Sequence, residues 1–272
     1  MNLRYWRQEG RRLWMDCEIG SFHWDMPKKW NLSKIHPDLL KLAEWVLLDP
    51  WTPRILDDHI WSRKPGTRPG LSFSGGIEST AAMLIMPRNT AIAYHERDFE
   101  SMLKHDNAKR FIKRLRWRYF RKVIIVKSDH EKIRTHFGKA NGFSTDMACA
   151  VHLILLADYL DLDSISVGMP IDNSWLSKGC KFRDFPNTPW YKKWPPIFKK
   201  AGLELILPVN MISQAGCLEV VKSKGFSDLA QSCLRAPAGE TCGRCWKCFF
   251  KNSLLGHSVD TTSYEIQKFS ST

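Results

Sequence analysis

The chain has 272 residues, 43% of them apolar, and a formal charge of +13 from 41 Lys and Arg against 28 Asp and Glu. That length can bury a full core and is near the upper size of one domain, so one domain with extensions is expected. The start, Met1 to Arg7, has no apolar signal core, and the longest apolar run, about Met147 to Ala157, is interrupted by His152. Such a run is too short to cross a bilayer, which excludes a membrane-spanning helix and leaves a cytoplasmic protein without membrane partners as the expectation.

The first 66 residues are Trp-rich, with seven of the twelve tryptophans at 6, 14, 24, 30, 45, 51 and 61. Segments 3–7 and 12–18 have strand length, and 37–48 has helical periodicity with Pro37 at an early helical position. A small N-terminal subdomain, 1–66, is expected, its tryptophans serving as packing rather than as a ligand cage. Lys64-Pro65-Gly66-Thr67-Arg68-Pro69-Gly70 reads as a loop. From there the pattern alternates: strand 70–73, helix 78–86, strand 91–95, helix about 105–119, strand 122–127, a long helix 145–160, and strand 164–168. An irregular Trp/Pro/Lys-rich stretch precedes strand 203–207 and helix 213–224. Apolar strands alternating with helices predict an α/β fold, a doubly wound parallel sheet with helices on both faces. Its main domain would run over 67–228, and 229–272 would be a separate cysteine-bearing region.

Two motifs carry chemistry. Ser74-Gly75-Gly76-Ile77-Glu78-Ser79 follows a strand and opens a helix. Adjacent glycines let backbone amides converge at the positive end of that helix, which suits a phosphate chain. The chain lacks Gly-x4-Gly-Lys-Ser/Thr, and it lacks Gly-x-Gly-x-x-Gly after a strand. Near the other end, Cys233-x8-Cys242-x2-Cys245-x2-Cys248 gathers four of eight cysteines into 16 residues. That spacing fits a four-thiolate metal site better than disulfides.

The first motif resembles the Ser-Gly-Gly-x-Asp-Ser signature of the PP-loop ATP pyrophosphatases, whose fold is that of the adenine nucleotide alpha hydrolase-like proteins. The second, as Ser232-Cys233-x8-Cys242-Gly243-Arg244-Cys245-Trp246-Lys247-Cys248, resembles the end of the 7-cyano-7-deazaguanine synthase (QueC) family. The resemblance spans about residues 70–256 and implies a divergent member. Glu78 stands where the signature has Asp, Gly142 to Asp146 replace a Gly-Arg-Asn, and Gln214-Ala215-Gly216 lies where Lys and Glu are usual. It implies ATP and Mg2+ at Ser74, Gly75, Gly76, Ile77, Glu78 and Ser79, with Glu78 and Ser79 catalytic, and structural Zn2+ on the four cysteines. Cys180 and Arg183, with Asp172, would lie on the substrate side. The activity implied is adenylation of a carboxylate, 7-carboxy-7-deazaguanine or a related deazapurine-like substrate, followed by attack of a nitrogen nucleophile. Some relatives of this kind occur in antiviral defence, with a macromolecular acceptor.

Two other readings stay open. A PP-loop tRNA-thiolating enzyme would need a reactive cysteine or an iron–sulfur cluster, which the four cysteines could hold. A catalytically silent nucleic-acid-binding protein would account for Glu78 and for residues 104–139, where thirteen basic side chains face three acidic ones. That stretch suits a nucleic acid or an acidic protein surface, or is a solvated helix face. A homo-oligomer is expected. His152 reads as a hydrogen-bonded core residue. His95, Glu96, Arg97 and Asp98 read as a loop able to reach ATP or as plain loop charge, and Cys149 and Cys217 as packing residues.

Overall fold

The computed structural model of the chain describes residues 5–51, 59–99, 104–139, 147–177, 181–230, 233–263 and 266–267. β1 (Trp6–Glu9), β2 (Arg12–Cys17) and β3 (Gly20–Asp25) form an antiparallel meander, and α1 (Pro37–Leu48) follows. β4 (Arg68–Ser72) leads to α2 (Ile77–Ile85), and β5 (Ala91–Arg97) to α3 (Asp106–Arg118). β6 (Val123–Ser128) leads to α4 (Ile133–His136) and α5 (Val151–Ile154). β7 (Leu162–Val167), α6 (Ile171–Ser174) and the small hairpin β8 (Leu176–Ser177) and β9 (Lys181–Phe182) come next. α7 (Pro189–Lys200), β10 (Glu204–Ile206), α8 (Gln214–Ser223) and α9 (Trp246–Leu254) complete the described elements.

Eight strands make one sheet in the order β1-β2-β3-β6-β5-β4-β7-β10. The five strands from β6 to β10 pair in parallel, and β3 joins β6 antiparallel through Trp24–Ser128 and Asp25–Lys127. The Trp-rich segment therefore enters the main sheet and continues it past β6. Strand alternation sends Leu71, Phe73, Ile92 and Tyr94 to one face, where α2, α3 and α8 cover them. Ala91, Ala93 and Val126 face the other way, into a core shared by Trp6, Leu13, Trp24, α1, residues 147–157 and α7. Trp6, Trp24, Trp30 and Trp45 are buried, as packing residues would be.

A buried arginine locks the crossing segment before β4. Arg63 donates from Nε to Asp158 (2.8 Å), and its terminal nitrogens donate to the carbonyls of Gly202 (2.8 Å) and Leu162 (3.0 Å). The amides of Ser62 and Arg63 in turn donate to Asp38 in the first turn of α1, at 2.7 and 2.8 Å. One guanidinium thus satisfies two chain carbonyls and a carboxylate that burial would otherwise strand.

Three expectations need correction. The helix expected over 145–160 is broken: Met147–Ala150 is a 3-10 turn, α5 is one turn long, and turns follow to Asp161. The carbonyls of Ala148, Cys149 and Leu155 accept from His130 Nε2 (3.2 Å), Ser72 Oγ (2.7 Å) and Trp30 Nε1 (2.8 Å), so surrounding elements compete for its acceptors. The stretch before β10, expected to be irregular, contains the twelve-residue α7. Thr188 caps it, Pro189 opens it, and Trp194, Ile197 and Phe198 supply a buried stripe that outweighs the helix-breaking Pro195 and Pro196. β5 extends to Arg97, so His95, Glu96 and Arg97 lie within a strand.

Those strand residues make a buried polar cluster. Arg97 pairs bidentately with Glu131 (2.6 and 3.0 Å), and His95 stacks between His130 (ring centroids 4.4 Å apart) and His152 (5.9 Å). Burial is the leading cause that holds His130 down to about 3, His152 to about 4, and His95 well below the usual histidine range, with Arg97 opposing charge on His95 and His130. These rings are neutral when folded and take up protons only on unfolding as pH falls below about 6.5. Stability is therefore full above that pH and is lost progressively toward pH 4, by about 1.4 kcal/mol per pH unit for each such histidine. Denaturant titrations between pH 7 and 5 should show this slope. His152→Leu should lower it by about one proton's worth, and an unchanged slope would contradict the burial assignment.

Candidate nucleotide site and metal centre

β4 ends in the middle of the sheet, where successive strands go to opposite sides: β5 and β6 one way, β7 and β10 the other. Ligands of open parallel sheets bind beyond the carboxyl ends of strands at such a reversal. The Ser74–Ser79 turn lies there. Gly75 adopts φ +74°, the left-handed conformation that favours glycine, and a Cβ on it would stand 3.2 Å from the Ala108 methyl of α3. Gly76, at φ −81° and ψ 173°, precedes α2 and gives it no side-chain cap. The first-turn amides of α2 have no intrahelical acceptor and point from the positive end of the helix, the arrangement that binds anions.

Hydroxyls fix the turn from within. The Ser74 amide donates to Ser79 Oγ (3.1 Å), the two serine hydroxyls are 2.9 Å apart, and Thr80 Oγ1 donates to the Gly76 carbonyl (2.7 Å). Ser79 and Thr80 are buried, Ser74 is exposed, and Glu78 is half-buried in the first turn of α2. From the neighbouring strand, Gly168 closes on this turn: a Cβ there would lie 2.8 Å from the Glu78 carbonyl carbon and the Ser79 nitrogen.

Of the residues expected on the substrate side, Asp172 belongs to α6 and Arg183 binds the same short helix. Asp172, after β7, accepts from the Gln214 amide at the start of α8 (2.7 Å), and both Glu78 and Asp172 act electrostatically on Cys217. Burial is the main cause that pushes the Cys217 thiol up to about 12, so it remains protonated. Arg183 donates to the carbonyls of Ser174 and Asn173 and lies over the Phe185 ring. Cys180 and residues 142–146 lie outside the described residues.

The four cysteines come together. The ligand atoms of Cys233, Cys242, Cys245 and Cys248 all lie within 4.8 Å of one another, with Cys245 and Cys248 sulfurs 3.4 Å apart and Cys242 and Cys248 3.7 Å apart. Gly243 turns at φ +64°, and Cys245 is the residue that opens α9. The Cys233 sulfur accepts from the amides of Arg235 and Cys242, both at 3.4 Å. The sulfur contact with Cys248 draws the Cys245 thiol down to about 5 and raises its partner.

Several positioning residues carry no sequence signature. Asn107 donates to the carbonyls of Glu240 (3.1 Å) and Cys233 (3.4 Å) and accepts from the Gly239 amide (2.8 Å). The next residue, Ala108, is the one against Gly75, and Lys109 pairs with Glu96 at the end of β5 (2.6 Å). Lys251 of α9 is buried and donates to the carbonyls of Ser227 (2.7 Å) and Ala230 (3.0 Å), with its amine lowered to about 8 by burial. An asparagine, an alanine and a lysine give no periodicity or spacing from which these contacts could be read.

The model of a family of unknown function, DUF6395, matches residues 193–270, from within α7 to beyond α9. No curated protein matches the chain. Among solved structures, the U34-tRNA thiolase NcsA from Methanococcus maripaludis, with its 4Fe-4S cluster, is 12% identical and covers 86% of this chain and 78% of its own, at a TM-score of 0.34. A likeness of that strength carries no argument about activity. Among the described residues, no helix is long and apolar enough to cross a membrane.

Because Gly75 alone in the turn has positive φ, Gly75→Ala should cost at least about 1–2 kcal/mol of stability from backbone strain, plus the contact with Ala108. Gly76→Ala should cost less. Denaturant midpoints for the pair would check this, and equal losses would count against the turn geometry.

Proposed function

We propose that the chain is an ATP-consuming enzyme of the PP-loop class, with a doubly wound sheet, that activates a carboxylate for attack by a nitrogen nucleophile. The observation that carries this reading is the uncapped start of α2 at the strand reversal, held by the Gly75 turn and the Ser74–Ser79 hydroxyls. The triphosphate of ATP would lie on those amides. A substrate carboxylate oxygen attacks the α-phosphorus, pyrophosphate leaves, and an acyl adenylate forms. Ammonia then adds to the acyl carbon, loses a proton, and expels AMP. Fixed amides facing the developing phosphate charge need no reorganisation during the step. Glu78 is within the same turn and would hold Mg2+, which neutralises charge on the leaving pyrophosphate. The sequence motifs favour 7-carboxy-7-deazaguanine or a related deazapurine-like acid as the substrate.

Zinc on the four cysteines, in a structural role, fits the sulfur spacing. A tetrahedral ion with Zn–S of about 2.3 Å sets its sulfurs about 3.8 Å apart, close to the 3.4 and 3.7 Å separations here. A four-iron cluster instead binds one thiolate at each corner iron, which spreads the sulfurs much farther. Four thiolates also leave no open coordination position for chemistry.

Freshly purified protein should be colourless and hold one zinc per chain. Cys245→Ser should lose metal and destabilise the 229–272 region more than Cys149→Ser does. A brown protein with visible absorption and stoichiometric iron would overturn the zinc reading.

Pyrophosphate release from ATP with 7-carboxy-7-deazaguanine and ammonia tests the activity. Glu78→Gln should reduce it by about 100-fold, since a metal-bound carboxylate contributes several kcal/mol of charge stabilisation, and Glu78→Asp should retain some or exceed wild type. Gly76→Val should fold, because its φ of −81° is open to any residue, yet fail to bind ATP. Unchanged ATP affinity in that variant would remove the turn as the nucleotide site.

A further inference from the structure

α3 has two unlike faces. Phe111, Ile112 and Leu115 are buried in the core beneath the sheet, and the outward face presents Arg110, Lys113, Arg114, Arg116 and Arg118. Between Asp106 and Asp129 the sequence holds nine Lys and Arg and no acidic residue. Lys109 finds Glu96, but among the described residues no carboxylate pairs with the five cations of the outward face. From Arg110 to Arg118 the helix carries this charge along about 12 Å.

Two aromatic rings stand on the same surface. Trp117 is 69% exposed and Phe120 89% exposed. Phe120 follows the helix with φ +50°, at the position where the Arg121 amide folds back to the Leu115 carbonyl (3.0 Å). Glycine is the usual occupant there, because other side chains disfavour the left-handed conformation. Here a phenylalanine occupies it and its ring gains almost no burial. Its neighbour Tyr119 turns inward onto Phe226 (ring centroids 4.6 Å apart), so the chain separates one packed aromatic from one held outward.

We propose that the outward face of α3, from Arg110 to Arg118, with Phe120 beyond its end, docks RNA with unpaired bases, its cations meeting phosphates and Trp117 and Phe120 stacking the bases. Base stacking on exposed aromatics together with a cationic track is how unpaired strands are bound. Folded RNA presents unpaired bases beside helical phosphates, whereas duplex DNA keeps its bases stacked inside. A lipid surface fits less well. A membrane-lying helix inserts a broad apolar face, and the apolar face of α3 is already buried in the protein. The surface does not depend on the ATP chemistry proposed above, although the first turn of the same helix contacts both the Gly75 turn and the cysteine loop.

The full chain, with its metal, is titrated by fluorescence anisotropy against a labelled RNA stem-loop, the same stem without a loop, and a matching DNA duplex. Cosedimentation with phosphatidylserine vesicles serves as a fourth arm. The stem-loop should bind best, with affinity falling about 100-fold from 50 to 200 mM salt if four or five phosphates are neutralised. Arg114→Gln with Arg118→Gln should reduce the salt slope by about 1.4–1.8. Trp117→Ala and Phe120→Gly should each weaken stem-loop binding by about 10-fold or more and leave binding to the duplexes unchanged. Phe120→Gly should at the same time raise the melting temperature, since glycine relieves the left-handed strain, so lost affinity cannot be ascribed to unfolding. Equal affinity for loop and duplex, wild-type affinity in both aromatic variants, or preference for vesicles would overturn the proposal. Each of these outcomes is independent of pyrophosphate release.

Discussion

The contact between Gly75 and Ala108 sets how everything else is placed. With φ at +74°, β4 turns sharply enough for α2 to start at once, and the absent side chain lets α3 close onto the turn. Had either position carried a larger residue, α3 would stand off by the size of a methyl group. Its first turn would then lose register with the cysteine loop that Asn107 holds. Three consecutive residues of that turn face three parts of the molecule: Asn107 the cysteine loop, Ala108 the glycine turn, Lys109 the end of β5. Through Asn107 and Ala108, the start of α3 touches both the Gly75 turn and the four-cysteine loop.

Several buried charges among the described residues are surrounded by fixed partners. Arg63 spans a carboxylate and two carbonyls, and Arg97 grips Glu131 with both ends of its fork. Lys251 donates to two carbonyls, and the Asp228 carboxylate favours its charge. Where no partner of opposite sign is present, the group gives up its charge, as the three stacked histidines do. Removing one member of such a set leaves its neighbours desolvated and unsatisfied, which costs more than the lost bond itself.

Much of the parallel core was legible because its signals are local. The apolar strands at 91–95, 122–127 and 164–168 could be read directly, as could the helical spacing that follows the first of them. The adjacency of the four cysteines was likewise written in their spacing. What escaped was set by long-range contacts. The 145–160 segment has helical composition, yet Ser72, His130 and Trp30 take its carbonyls from three other parts of the chain. α7 was hidden by Pro195 and Pro196, whose local preference is overridden by Trp194, Ile197 and Phe198 entering the core. The entry of β3 into the main sheet depends on only two residue pairs, which no periodicity announces. At the site, the turn itself was legible. The distribution of roles between its glycines was not, because backbone angles do not appear in a Gly-Gly dipeptide.

The meander also settles how the sheet ends. Beyond β6, an exposed parallel strand would offer a row of unpaired amides and carbonyls, but β3, β2 and β1 carry the ladder outward to a strand of four residues. That last strand is crossed by Arg7, which pairs with Glu9 and Asp16. At the opposite margin β10 has three residues and begins with Glu204. Both borders are short and carry charge, two of the means by which natural sheets refuse a further strand. Such margins disfavour edge-to-edge growth into fibres.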